Sequence, residues 1–141
     1  MKPLSKIAAL LLACGLITLS GSLTAQTSKP LDHFHAADQI AKSEPAQWQQ
    51  SYRLADQLFG KGENPRQVNE ALKELEYIAY DGSQAASIRL CAIYAYGIGL
   101  NVNPGSGIFW CRQSAMRGYR PGAGITVELF ETYWQDIEDE L

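Results

Sequence analysis

Two stretches of this 141-residue chain are nearly alike. The first begins at position 53 and the second at position 89, 36 residues later. Arg53-Leu54-Ala55 recurs as Arg89-Leu90-Cys91, and Ala79-Tyr80-Asp81-Gly82 recurs as Ala115-Met116-Arg117-Gly118. A fixed period of this length is typical of a solenoid, in which pairs of helices stack against one another. The period therefore predicts the fold class, and it favours a binding surface over a catalytic site.

Local signals predict where the helices begin and end. Asn64-Pro65 and Asn103-Pro104 each combine an N-cap residue with a proline in the first turn, and Ser83 is a further N-cap. Asp32 is expected to cap a short leading helix. No segment alternates like a strand, so the chain is predicted to be all-α, a short α-solenoid of about two stacked helix hairpins with flanking helices. The predicted helices cover about 32–42, 46–59, 65–81, 84–96, 104–117 and 125–137.

Apolar residues at helical spacing predict the core. Leu54, Leu58, Leu90, Tyr94 and Trp110 are expected to fill the space between helix pairs. The other residues predicted to face inward are Trp48, Tyr52, Ala55, Phe59, Val68, Ala71, Leu72, Leu75, Ile78, Ala79, Ile88, Cys91, Ile108, Phe109, Cys111, Ala115, Met116, Val127, Phe130, Trp134 and Ile137.

The first 25 residues read as a secretory signal peptide. Lys2 and Lys6 precede an apolar run over residues 7–17, and small residues ending at Ala25 provide a cleavage site. The run is shorter than the roughly 20 residues that a membrane-spanning helix needs, which disfavours a retained anchor. We therefore expect a periplasmic or secreted protein. The alternative is a lipoprotein, because Leu11-Leu12-Ala13-Cys14-Gly15 resembles a bacterial lipobox with Cys14 as the lipidated residue.

The remainder forms one small domain with a short polar leader. Residues 26–42 are the polar N-terminal segment with its short helix, and residues 43–141 are the repeat domain. Within that domain the repeats cover about 50–85 and 86–121, and a capping helix covers 122–141. Without Lys2 and Lys6 the mature chain has 10 basic and 15 acidic residues, a net charge of −5, and no basic stripe. Nucleic acid is therefore not an expected partner, and a membrane is expected only if Cys14 is lipidated.

Removal of Cys14 leaves an even pair of cysteines, Cys91 and Cys111, on the two helices of one hairpin. An oxidising compartment favours a disulfide between them. A metal site is disfavoured because no histidines are patterned around the pair, and neither thiol has the neighbours of a catalytic nucleophile.

The segment of residues 86–123 contains Ala86, Leu90, Tyr94, Gly97, Gly99, Leu100, Pro104, Trp110, Ser114, Ala115 and Gly118. With these residues it resembles a Sel-one-like repeat, a relative of the tetratricopeptide repeat. The resemblance lies in an alanine-leucine-tyrosine pattern, the pair Gly97 and Gly99 between two helices, and a closing alanine and glycine; residues 50–85 look like a degenerate copy. Gly107 departs from the alanine that the family usually has, so the start of that helix is expected to be weak. Solenoids usually need about three repeats to be stable, and this chain has only two. The disulfide or a homodimer is expected to compensate.

The resemblance implies a scaffold or adaptor that binds a protein or peptide in a groove lined by the first helix of each pair. Arg53 and Arg89 occupy equivalent positions, so they are expected to share a face and to hold a carboxylate. The alternative is that each arginine pairs with a neighbouring acid. The candidate groove residues are Gln50, Arg53, Gln57, Arg89, Ile93 and Tyr96.

Other functions have weaker support in the sequence. The chain has no Ser-x-x-Lys or Gly-x-Ser-x-Gly motif, so no enzyme and no cofactor is predicted. Binding of cell-wall fragments, or a role as an anchored accessory subunit of an envelope complex, is the alternative function. His33, His35 and Asp38 suggest a metal site, but a solvated leading helix explains them better. Phe130, Tyr133 and Trp134 are expected to cap the stack, or to form a docking patch if they are exposed.

Overall fold

The computed structural model describes residues 29–60 and 64–140, and these residues form six helices without a strand. The first, α1, covers residues 29–41. It is followed by α2 (Ala46–Gly60), α3 (Pro65–Asp81), α4 (Gln84–Tyr96), α5 (Pro104–Met116) and α6 (Pro121–Glu140). From α2 onward each helix packs against the next, and α6 also contacts α4. The predicted all-α, solenoid-like fold is therefore confirmed. The proposed signal peptide and Cys14 lie outside the described residues.

The helix starts that the sequence predicted are confirmed by their caps. The side chain of Asn64 accepts a hydrogen bond from the backbone N–H of Arg66 at 2.9 Å, and Ser83 accepts one from Ala86 at 3.0 Å. Asn103 repeats the arrangement at the start of α5. Such bonds satisfy backbone donors that lack a partner inside the helix. Two boundaries differ: α6 begins at Pro121, because proline fits the first turn of a helix, and Asp32 lies inside α1.

The N-terminus of α4 is fixed by the turn between α1 and α2. One carboxylate oxygen of Glu44 accepts a hydrogen bond from the Ser83 hydroxyl at 2.6 Å, and the other accepts one from the backbone N–H of Ala85 at 2.8 Å. A negative charge at this end of a helix also interacts favourably with the helix dipole. The leading part of the chain therefore helps to hold the central helix in place.

Leu54 and Leu90 occupy equivalent repeat positions but unlike surroundings. Leu90 is completely buried, whereas 43% of the Leu54 side chain is exposed. The expectation that both fill the space between helix pairs is wrong for Leu54. The reason is position in the stack, because α4 packs against α3, α5 and α6 whereas α2 lies near one end of it. All the α3 residues predicted to face inward are buried.

The predicted inner faces of α5 and α6 are partly wrong. Phe109 and Met116 are exposed on α5, whereas Trp110 is buried. On α6 the buried residues are Ile125 and Leu129, while the predicted stripe of Val127, Phe130 and Trp134 is exposed. Each of these helices carries apolar residues on two sides, so periodicity alone does not say which side faces the core.

The two repeat helices that carry the cysteines approach closely. Cys91 and Cys111 form a disulfide with their Cα atoms 4.5 Å apart, and both residues are buried. Gly107 lies in the same contact, since a Cβ there would be 2.8 Å from Cδ1 of Leu129 and 3.4 Å from the backbone nitrogen of Ala95. The glycine therefore permits the close packing of α5, which begins at Pro104 as predicted.

No helix within the described ranges is both long and apolar enough to cross a membrane.

Candidate functional site

Arg89 of α4 is the centre of a polar cluster that joins three helices. Its guanidinium is buried, and Nη1 donates a hydrogen bond to Oδ1 of Asp38 at 3.4 Å and one to the hydroxyl of Tyr52 at 3.3 Å. Nη2 donates to Oδ1 of Asp56, and the Tyr52 hydroxyl itself donates to Asp38 at 2.7 Å. Asp38 belongs to α1, Tyr52 and Asp56 to α2. One cation therefore ties α1 and α2 to the central helix.

Aromatic rings enclose the same guanidinium. The carbon at its centre lies 4.8 Å from the ring centroid of Phe34 and 5.2 Å from that of Tyr52, at cation–π distances. Burial by itself lowers the pKa of Arg89, but Tyr52 and Asp56 outweigh this effect and raise it. Arg89 is therefore a cation at any physiological pH. Burial also raises the pKa of the Tyr52 phenol, so Tyr52 acts as a neutral hydrogen-bond donor and acceptor. Nε of Arg89 has no hydrogen-bond partner among the described residues.

The leading helix α1 lies over side chains that were predicted to line the groove. Besides the contacts of Phe34 and Asp38 with Arg89, His33 stacks on Tyr96 with ring centroids 5.9 Å apart. Nδ1 of His33 is also 2.6 Å from the hydroxyl of Tyr119, in the connection between α5 and α6. The surface of α2 and α4 therefore already binds a helix, which belongs to the same chain.

The candidate groove residues have different surroundings. Gln50, Arg53 and Gln57 are exposed on α2, and Tyr96 is half-buried against His33. Ile93 is completely buried and Arg89 is only 6% exposed, because neighbouring helices cover α4. Arg89 is therefore not open to a ligand in the groove. It pairs with neighbouring acids, which was the alternative interpretation of the sequence.

Arg53 opens onto a cleft beside this cluster. The cleft encloses about 240 Å³ and is lined by Asp38, Ala41, Lys42, Gln49, Tyr52, Arg53 and Asp56. Both of its carboxylates are bound to Arg89. Lys42 donates to the side-chain oxygen of Gln39, and neither Lys42 nor Arg53 forms an ion pair with a described residue. Together with Arg89, the cleft therefore carries one net positive charge with two accessible cations.

The residues suggested for a metal site are engaged otherwise. His33 contacts Tyr96 and Tyr119, Asp38 accepts hydrogen bonds from Tyr52 and Arg89, and His35 is exposed. No group of three or more His, Cys, Asp or Glu side chains in the described part of the chain is arranged to hold a metal ion.

Sequence reasoning missed Asp56, Lys42 and the role of Asp38 as a partner of Arg89. A signal for Asp56 was present, because it follows Arg53 by three residues and faces the same side of α2. No sequence signal linked Asp38 to Arg89, which is 51 residues away.

Comparison with protein-family models, with curated proteins and with solved structures finds no match for this chain.

Proposed function

We propose that this chain is an exported helical-repeat protein that binds another protein or a peptide, as a scaffold or adaptor of the cell envelope. The observation that carries the proposal is the cleft between α1 and α2, where Arg53 and Lys42 are accessible and both acids are ion-paired with Arg89. A carboxylate entering the cleft would meet two cations and no unpaired acid. An acidic side chain or a peptide C-terminus fits this charge distribution.

The size of the cleft limits what enters it. Its volume of about 240 Å³ is smaller than the roughly 300–1,000 Å³ of sites that enclose a drug-sized ligand. One side chain or one chain end fits, while the rest of the ligand would lie along the exposed side of α2 near Gln57. This argument also supports the alternative ligand, a short cell-wall peptide with a free carboxylate. An enzymatic role has no comparable support.

Export is supported by the predicted signal peptide and by the disulfide between Cys91 and Cys111, which suits an oxidising compartment. Mass spectrometry of the mature protein tests it directly. An N-terminus at Gln26 is the expected result, whereas a lipidated Cys14 would establish the anchored alternative. An intact Met1 in envelope fractions would contradict both.

The binding site is tested with a photo-crosslinking amino acid at Gln49, inside the cleft, in intact cells. We expect a crosslinked product that falls roughly tenfold in the Arg53→Glu variant, since charge reversal replaces an attraction by a repulsion. Arg66→Glu is the matched control, because Arg66 is exposed on α3 and does not line the cleft.

The crosslinked product also distinguishes the two ligands. A captured protein supports the adaptor function, and a captured cell-wall peptide supports the alternative. Absence of any product at Gln49, or equal yields with Arg53→Glu and Arg66→Glu, would exclude the cleft as the binding site.

A further inference from the structure

The outer face of α6 carries an exposed apolar stripe. Val127 is 56% exposed, Phe130 44% and Trp134 45%, and the rings of Phe130 and Trp134 contact each other with centroids 4.6 Å apart. Val127 and Phe130 are three residues apart and share one side of α6. The backbone of Tyr133 departs from helical geometry (φ −120°, ψ 20°), but the ring contact shows that Trp134 lies beside Phe130 across this kink. A solenoid helix whose outer side no other helix covers usually has a polar outer face, and no described helix covers this side of α6. Here that face is apolar.

The charge around the stripe is acidic. Between Pro121 and Glu140 there is no lysine or arginine, whereas Glu128, Glu131, Asp136, Glu138 and Asp139 are exposed. Glu131 stands one helical turn after Val127, and Glu138 one turn after Trp134, so both acids lie beside the stripe. None of the ion pairs in the described residues involves these acids.

We propose that Val127, Phe130 and Trp134, flanked by Glu131 and Glu138, form a second docking surface that binds a basic amphipathic helix of a partner protein. An apolar helix face bordered by lysines or arginines would bury the three side chains and pair with the acids. A second copy of this chain fits poorly, because two α6 helices would bring like charges together. An anionic membrane surface is disfavoured for the same reason.

The surface is separate from the cleft at Arg53, so binding at the two sites can be tested independently. α6 packs on α5 and α4, whereas the cleft is lined by residues of α1, α2 and the turn between them. The proposed surface therefore makes the chain a connector with two binding sites.

The experiment measures binding of two labelled synthetic helices to the purified protein by fluorescence anisotropy. Both peptides carry the same leucine stripe, and they differ in having lysines or glutamates on its flanks. We expect the lysine peptide to bind roughly tenfold more tightly than the glutamate peptide at about 0.1 M salt, and the difference to shrink at about 1 M salt.

Variants assign the binding to α6. The double variant Phe130→Ser with Trp134→Ser is expected to bind the lysine peptide roughly tenfold more weakly than the wild type. Its control is Tyr77→Ser with Met116→Ser, which removes two apolar residues that are even more exposed (73% and 70%) from α3 and α5 and should leave binding unchanged. Glu131→Lys with Glu138→Lys should reverse the preference, so that the glutamate peptide binds better. Circular dichroism confirms that each variant is folded.

Several results would overturn the proposal. These are equal binding of both peptides, an unchanged preference in the charge-reversed variant, or equal losses in the two serine variants. A dimer in sedimentation that dissociates in the Phe130→Ser, Trp134→Ser variant would make a second copy the occupant. Binding to anionic vesicles that depends on the same residues would make it a lipid surface.

Discussion

The guanidinium of Arg89 on α4 lies 3.4 Å from the carboxylate of Asp38 on α1, so a buried cation of the central helix holds the leading helix of the same chain. Asp38 and Asp56 remain about half exposed, and Arg89 is buried. The cluster therefore places one desolvated cation between two acids that still reach water. Its contribution to stability comes from the hydrogen bonds of Arg89 and from the packing of its aliphatic chain.

Replacement of Arg89 tests this contribution. Arg89→Ala removes the charge-assisted hydrogen bonds to Asp38 and Asp56 and the contact with Phe34. We expect the free energy of unfolding, measured by urea denaturation, to fall by about 2–3 kcal/mol. Arg66→Ala breaks an exposed pair with Glu70 and should cost less than about 0.5 kcal/mol. Equal losses in the two variants would show that the cluster adds nothing beyond a surface ion pair.

The fold could be predicted from the sequence to the extent that local signals determine it. Asn64, Ser83 and Asn103 accept the backbone hydrogen bonds that start three helices, and such caps depend on a few neighbouring residues. The period in the sequence also identified the hairpin that carries the disulfide. Leu54 and Leu90 mark the limit, because identical residues in equivalent positions differ in burial according to the neighbours of their helices.

The candidate site was less predictable for the same reason. Arg53 and Arg89 look alike in the sequence, but one lines an open cleft and the other lies in the core under α1. The contact between Asp38 and Arg89 joins residues 51 positions apart, and no local pattern encodes it. On α6 the sequence showed an apolar stripe but not its direction, so the exposed face was recognised in the structure alone.

Two glycines of α6 provide a sharp test of the packing between α5 and α6. A Cβ on Gly122 would collide with the Ser114 hydroxyl and lie 2.5 Å from the backbone oxygen of Cys111, whereas a Cβ on Gly124 would meet nothing within 4 Å. We expect Gly122→Ala to destabilise the protein by about 1–3 kcal/mol, because the helices must move apart. Gly124→Ala should stabilise it by about 0.5–1 kcal/mol through helix propensity. Thermal unfolding of both variants should therefore shift in opposite directions, and shifts of the same sign would contradict the close approach.

One buried and two half-buried tyrosines predict a loss of stability at alkaline pH. Burial raises the pKa of Tyr52, and also that of Tyr94 and Tyr96, above the ordinary value of about 10. Above that value the unfolded chain releases these protons while the folded chain keeps them, so the unfolded state binds fewer protons and the free energy of unfolding falls as pH rises. Below about pH 9 no such loss is expected.

The Tyr52→Phe variant isolates one of these groups. It loses the hydrogen bond to Asp38, which should cost about 1 kcal/mol at neutral pH, but its stability should fall less steeply above about pH 10. Tyr77→Phe is the control, because that exposed side chain already reaches water in the folded protein. Urea denaturation from about pH 7 to about pH 11 measures both slopes, and parallel slopes for wild type and Tyr52→Phe would refute the assignment.

The disulfide between Cys91 and Cys111 should compensate for the small number of repeats. The bridge joins residues 20 positions apart, and in the chain-entropy model it stabilises the folded state by about 3 kcal/mol. The double variant Cys91→Ala with Cys111→Ala should lose about that amount of unfolding free energy in urea denaturation under non-reducing conditions. In reducing buffer the bridge of the wild type should open slowly, because both cysteines are buried. Thiol titration of the denatured, non-reduced mature chain should find no free thiol. If the double variant unfolded at the same urea concentration as the wild type, the helices would be held together by their packing, and the bridge would be a consequence of the fold and not a source of its stability.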